Sequence, residues 1–223
     1  MTDPLTSDER WLAAAARLAT PALGSTGSGP AVGALVVDPS RQLVFGRAVT
    51  SPRGTAQAEI MALAEARGLT QGRILYATLE PAAHPTTHPS VTRNIIEAQI
   101  ARVVVGALDP DPERAGEGLR ELAEAGVETV YLPRPEASLL NEGYATRLTK
   151  GRPFITLKLT LSADGMVGHN TPAGEPFLGA EALRFIERER AAAEAVFSGA
   201  ARAEIEDNDL RVHLEGLEGR TSL

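Results

Sequence analysis

The chain has no cysteine. That absence removes disulfides, thiolate zinc sites and cysteine nucleophiles together. No apolar run approaches the length needed to cross a bilayer. The N-terminus, Met1-Thr2-Asp3-Pro4, lacks the basic segment and following apolar stretch of a secretory signal. Basic residues are in the minority, 22 Lys and Arg against 29 Asp and Glu, for a formal charge of -7. The acidity is spread along the chain, so no basic patch is available to track a nucleic-acid backbone. These absences point to a cytoplasmic protein with neither a membrane nor a nucleic acid as partner. What remains is ordinary for a globular protein: 223 residues, 43% hydrophobic and 23% charged, enough for one large domain or two small ones.

The pattern along the chain is that of an α/β protein. Ser7 to Leu23 reads as a helix, with Ser7 as N-cap and Trp11, Leu12, Ala15, Leu18 and Ala19 at helical spacing. The Gly/Ser-rich stretch Gly24 to Pro30 ends it. Ala31–Val37 and Leu43–Val49 are short apolar runs flanking Asp38-Pro39-Ser40-Arg41, as in a hairpin. Helices are then expected at Ala58–Arg67, Val91–Ala98, Glu113–Ala125 and Pro135–Leu148, and strands at Ile74–Leu79, Ala101–Ala107 and Val127–Leu132. Such alternation implies a layered α/β domain with parallel pairing. Lys150-Gly151-Arg152-Pro153 suggests a boundary, giving a first domain at 1–150 and a second at 151–223. The second is expected to hold strands at Phe154–Leu159 and Ala195–Phe197, a helix at Ala180–Ala193 and acidic, poorly periodic sequence to Leu223. A unit that small buries little surface and is marginal alone.

Two stretches carry the chemistry. Thr55-Ala56-Gln57-Ala58-Glu59 and Thr78-Leu79-Glu80-Pro81-Ala82 have the layout of a nucleobase zinc-deaminase site. Such a site needs a His two residues before a catalytic Glu, then a Pro-Cys and a second Cys. Glu59 and Pro81 stand in their places, but the ligand positions read Gln57, Ala82 and Val91. A neutral amide is a poor zinc ligand, and Ala and Val are none. Hydrolytic deamination needs a metal-bound water whose pKa is drawn toward neutrality. Glu59 alone can move protons but cannot raise useful hydroxide from bulk water. No zinc and no zinc-dependent deamination are expected. His84 and His88, four apart, could offer a replacement pair with Glu59, or be two exposed loop histidines. The prolines at 85 and 89 oppose a helical register between them. Glu59 itself reads either as a vestigial proton shuttle or as a carboxylate favoured near a helix N-terminus.

Further pieces recur in order: Pro30-Ala31-Val32-Gly33-Ala34, Asp109-Pro110-Asp111-Pro112, Ala115-Gly116-Glu117-Gly118, Leu140-Asn141-Glu142-Gly143-Tyr144, Arg152-Pro153-Phe154 and Ser162-Ala163-Asp164-Gly165. In this order and spacing the chain resembles the bifunctional, RibD-like deaminase/reductase family of riboflavin biosynthesis, from about Asp8 to about Leu214. The resemblance implies a cytidine-deaminase-like three-layer α/β/α domain followed by a partial dihydrofolate-reductase-like segment. It also implies a phosphoribosylated pyrimidine as substrate and NADPH as reductant. The departures bear on both halves. The family's substrate-binding Asn is Gly29 here, and a His ahead of the metal-binding helix is Thr50. The Gly-x-Gly-Thr turn of the reductase reads Gly199-Ala200-Ala201-Arg202, where a Cβ at Ala201 crowds a backbone expected close to cofactor. The phosphate-holding Arg is His213, which lacks the guanidinium fork. Ser162, Asp164, Asp207 and Leu210 match the family's substrate-binding positions, while most of its reductase domain would lie beyond Leu223.

The sequence is therefore expected to encode a degenerate relative that binds a pyrimidine or flavin precursor, or serves in assembly, as a homo-oligomer and without a cofactor. The alternative is a surviving 5-amino-6-(5-phosphoribosylamino)uracil reductase step with NADPH, completed by a longer chain or a complex. A third reading is an unusual hydrolase that uses Glu59 without zinc.

Overall fold

The computed structural model describes residues 6–38, 40–83, 90–166, 178–199 and 212–217. The chain divides into two compact units, Met1–Phe154 and Ile155–Leu223, and each is taken by itself.

The first unit is a sheet with helices on both faces. Its strands are β1 (Gly33–Asp38), β2 (Leu43–Val49), β3 (Ile74–Ala77), β4 (Arg102–Val105) and β5 (Glu128–Tyr131), in the order β2-β1-β3-β4-β5. The expected hairpin forms: β1 and β2 pair antiparallel, with a register shift between Val36 and Val37. The expectation of parallel pairing holds for β3, β4 and β5. It fails between β1 and β3, which are antiparallel. No crossover helix lies between β1 and β2, so the chain enters β3 from the opposite direction and the sheet is mixed.

Period-two alternation sorts the strand side chains between two apolar layers. On one face Leu35, Val37, Tyr76 and Val104 pack against Leu12 and Ala15 of α1 (Ser7–Ala19). On the other, Ala34, Val36, Leu75, Ala77, Val103 and Val105 pack against α2 (Ala58–Glu65), α3 (Val91–Glu97) and α4 (Glu117–Glu124). Every residue of β1 is buried, as expected of a strand covered on both sides. Gly46 in β2 lets α2 approach, since a Cβ there would stand 2.0 Å from the Ala62 carbonyl oxygen.

The start of α1 differs from expectation by one residue. Thr6, not Ser7, is the N-cap: its hydroxyl accepts from Glu9 N–H at 3.3 Å, and the Glu9 carboxylate accepts from Thr6 N–H at 2.7 Å. This reciprocal pair outcompetes a lone Ser7 cap. α1 is also fixed to the sheet by charge. Asp8 accepts two hydrogen bonds from Arg102, at 3.1 and 2.8 Å, and one from the Tyr76 hydroxyl at 2.7 Å. Burial works against the Asp8 carboxylate, but these donors outweigh it and hold its pKa below the ordinary value. The helical region after β5 is two helices, α5 (Pro135–Leu140) and α6 (Glu142–Lys150), broken at Asn141. Gly151 ends α6 in the left-handed conformation, φ 61°.

In the second unit the described residues contain one helix, α7 (Ala180–Ala192), where a helix was expected, and no strand. Among the described residues neither Phe154–Leu159 nor Ala195–Phe197, where strands were expected, is paired in a ladder. A strand is one side of a hydrogen-bonded ladder, and the other side is not among the described residues.

Candidate functional site

The first motif stretch leads into α2 and the second follows β3, while Val91 opens α3, which packs against α2. Gln57 is the N-cap of α2, with extended backbone and no side-chain capping bond. Its Oε1 is buried and has no hydrogen-bond partner. Glu59, in the first turn, is only 4% exposed. Burial drives its pKa up to about 7, against a smaller opposing pull from its own backbone N–H. Near neutral pH the group is divided between carboxylic acid and carboxylate. Ala58, between them, is fully buried in the same cluster as Val91, and Ala82 packs against that cluster.

The segment after β3 returns to its own starting point. The Ala82 carbonyl accepts from Val91 N–H at 3.1 Å and from Thr92 N–H at 3.4 Å, while the Ser90 hydroxyl accepts from Arg93 N–H to cap α3. Two of the positions read from the sequence as replaced ligands, Ala82 and Val91, are thus joined by one backbone bond. The three positions offer one neutral amide, a methyl and an isopropyl group, a donor set that does not fit a zinc ion. Among the described residues no group of three or more His, Asp or Glu side chains is placed to hold a metal. Thr50 is buried and its hydroxyl accepts from Val32 N–H at 2.9 Å, so this position now closes the β1–β2 end of the sheet.

Sequence reasoning quoted Glu80 without giving it a task. Its carboxylate accepts four backbone N–H groups: Asp109 at 3.1 Å, Gly116 at 2.9 Å, Gly118 at 2.9 Å and Leu119 at 3.3 Å. It fixes the β4–α4 connection against the segment after β3. The contact is close, since a Cβ on Gly118 would stand 1.9 Å from the Pro81 carbonyl oxygen. Because the partners are main-chain amides, no side-chain pattern could have announced this role. Glu80, Ala82, Ala83, Asp109, Arg114 and Glu117 line a pocket here of about 30 Å³, room for a water-sized group and not for a heterocycle. Asp109 at its rim has its pKa raised, chiefly by burial.

The remaining site residues are dispersed. Ser162 and Asp164 lie in one exposed turn: the Ser162 hydroxyl donates to the Asp164 carboxylate and accepts from Met166 N–H at 3.0 Å. Gly165 closes the turn with φ 85°. His213 is exposed. His84, His88, Ala201, Asp207 and Leu210 lie outside the described residues. No helix among the described residues is long and apolar enough to cross a membrane.

Residues 5–107 match the family described as the cytidine and deoxycytidylate deaminase zinc-binding region. The riboflavin biosynthesis protein RibD of Escherichia coli is 32% identical over 96% of this chain and 58% of its own length. That of Haemophilus influenzae is 33% identical over 84% and 50%. Among solved structures, a diaminohydroxyphosphoribosylaminopyrimidine deaminase/5-amino-6-(5-phosphoribosylamino)uracil reductase of Thermotoga maritima superposes with a TM-score of 0.83. It is 30% identical, and the match covers 94% of this chain and 60% of that one. The chain spans about half the length of the curated relatives it matches.

Proposed function

The chain is RibD-like, with the α/β fold of the cytidine deaminases, and from that premise we propose that it no longer deaminates by way of zinc. We read it as a cytoplasmic module that keeps the deaminase scaffold to bind a pyrimidine or flavin precursor, or to serve in assembly. One observation carries this reading: Ala82 and Val91 meet through a backbone bond beside α2, and neither side chain has an atom that can grip a divalent cation. Zinc, where relatives hold it, would supply an activated water. Here the side chains at those positions extend the apolar core instead, which removes the cost of burying an unpaired thiol or imidazole. The groups left for recognition are the amide oxygen of Gln57, buried without a partner, and the Glu59 carboxyl. Together they offer a hydrogen-bond acceptor and, when Glu59 is protonated, a donor to a neutral heterocycle.

The test is metal analysis of the purified chain beside the triple variant Gln57→His, Ala82→Cys, Val91→Cys. We expect no zinc in the first and one per chain in the second, because the scaffold that positions the ligands persists. Stoichiometric zinc in the unaltered chain, with ammonia released from an aminopyrimidine phosphate, would overturn the reading. A second reading rests on the neighbours' similarity, which reaches into the unit beyond Phe154: NADPH serves a reductase step completed by further chain. Tight NADPH binding in a calorimetric titration would favour it.

A further inference from the structure

Two loops of the first unit, residues 24–30 and residues 51–56, meet ahead of α2. Arg53 N–H donates to the Ser25 carbonyl at 2.7 Å, and a Cβ on Gly27 would stand 3.8 Å from the Arg53 Cα. The second loop is closed on itself. Ala56 N–H donates to the Ser51 hydroxyl at 2.6 Å, and Ser51 N–H donates to the Ala56 carbonyl at 3.1 Å. A third element reaches the same place: Arg147 of α6 donates through Nη2 to the Ser28 carbonyl. Two arginines are thus brought to Gly27 and Ser28, whose Cα atoms lie one peptide unit, about 3.8 Å, apart.

In a chain of net charge -7, these two charges are not neutralised from within. Arg53 and Arg147 are exposed, and neither pairs with a carboxylate among the described residues. Arg73, Arg102 and Arg134, by contrast, are each held by one, from Asp38, Asp8 and Glu9. A structural clamp on Ser28 uses one of the five donors of the Arg147 fork and none of the Arg53 side chain. Arg53 is also left-handed, with φ 59°, a conformation that glycine adopts without strain and arginine does not. What that strained position presents is a guanidinium. Gly27, at φ 65°, is left-handed too. Gly27 and Ser28 are exposed, and their N–H groups donate to nothing among the described residues. Successive amides around a left-handed residue form a concavity for anions.

We propose that Arg53, Arg147 and the amides of residues 27–28 form a binding site for a phosphate dianion. Guanidinium forks match phosphate oxygens in pairs, and a loop without side chains at Gly27 lets the backbone approach them. The ligand is inorganic phosphate or the phosphoryl end of a monoester, which present the same charge and acceptor oxygens. The site uses neither Gln57 nor Glu59, so it goes beyond the functional reading above and does not rest on it.

The test titrates inorganic phosphate, and separately glycerol phosphate, into the isotope-labelled full chain at low ionic strength and follows the amide resonances. The expected result is saturable shifts at Gly27, Ser28 and Gly54, with binding about tenfold weaker in Arg53→Gly, the loss of one charge-assisted donor group. Arg53→Gly also relieves the left-handed strain, so its Tm is expected to rise while its affinity falls, an opposition that a purely structural arginine would not produce. Arg147→Lys keeps the charge and can keep the bond to Ser28 but lacks the fork, and it is expected to bind more weakly than the unaltered chain. Equal affinity for the two probes assigns the site to free phosphate, and tighter glycerol phosphate assigns it to a monoester; both support it. No saturable shift up to tens of millimolar phosphate, or an affinity unchanged in Arg53→Gly, would overturn it. Neither probe carries a heterocycle, so a negative result would leave the reading of Gln57 and Glu59 standing.

Discussion

Glu59 holds its proton more tightly in the folded chain, with a pKa of about 7, than at its ordinary value of 4.5. The folded state therefore binds more protons between those two values. Stability falls as pH rises through that window and levels off above it. The full difference amounts to roughly 3 kcal/mol. Glu59→Gln keeps the shape and removes the charge, so at pH 8 it is expected to stabilise the chain by up to that amount and at pH 4 by little. Urea unfolding at the two pH values checks this, and equal effects at both would refute it. The identity of this residue was legible in the sequence, because a Glu two positions after a ligand position and ahead of Pro81 is a spaced signal. Its burial was not, since that depends on α3 closing over the start of α2. Glu80 was legible as part of a motif and not as a clamp, and Gln57 as a position unsuited to zinc and not as an acceptor buried without a partner.

The elements that the sequence announced most clearly are those whose stability is local or whose faces are both covered. The β1–β2 hairpin, α2 and the three parallel strands fall where periodicity put them. The N-cap of α1 was missed although the signal was present: Thr6 with Glu9 three residues on is a capping box, and Ser7 has no such partner. The strands expected in the second unit, unpaired among the described residues, show the limit of a local pattern. Pattern reports that a segment could be a strand, whereas a ladder requires a neighbour that no local window contains. The packing of α4 on the Glu80–Pro81 turn is a further long-range property, and it depends on Gly118. Gly118→Ala places a methyl against the Pro81 carbonyl and is expected to cost about 1–3 kcal/mol, read as a lowered Tm. An unchanged Tm would mean that the turn can yield without loosening the four amide bonds to Glu80.

Among the described residues all five strands and six of the seven α-helices lie within Met1–Phe154, and both faces of the sheet are covered from inside that unit. A chain ending at Phe154 is accordingly expected to unfold in a single cooperative transition, with its far-UV circular dichroism intact at room temperature. Failure of this piece to fold would place part of its core in the residues that follow. One further consequence concerns the segment between Ala82 and Val91. Its two ends are held a single hydrogen bond apart, so the chain's path on either side does not depend on how much polypeptide is spliced between them. The entropic penalty for lengthening such a closed excursion grows slowly, by about 0.6 kcal/mol per doubling. An epitope or a fluorescent reporter inserted between Ala82 and Val91 is therefore expected to leave the sheet undisturbed.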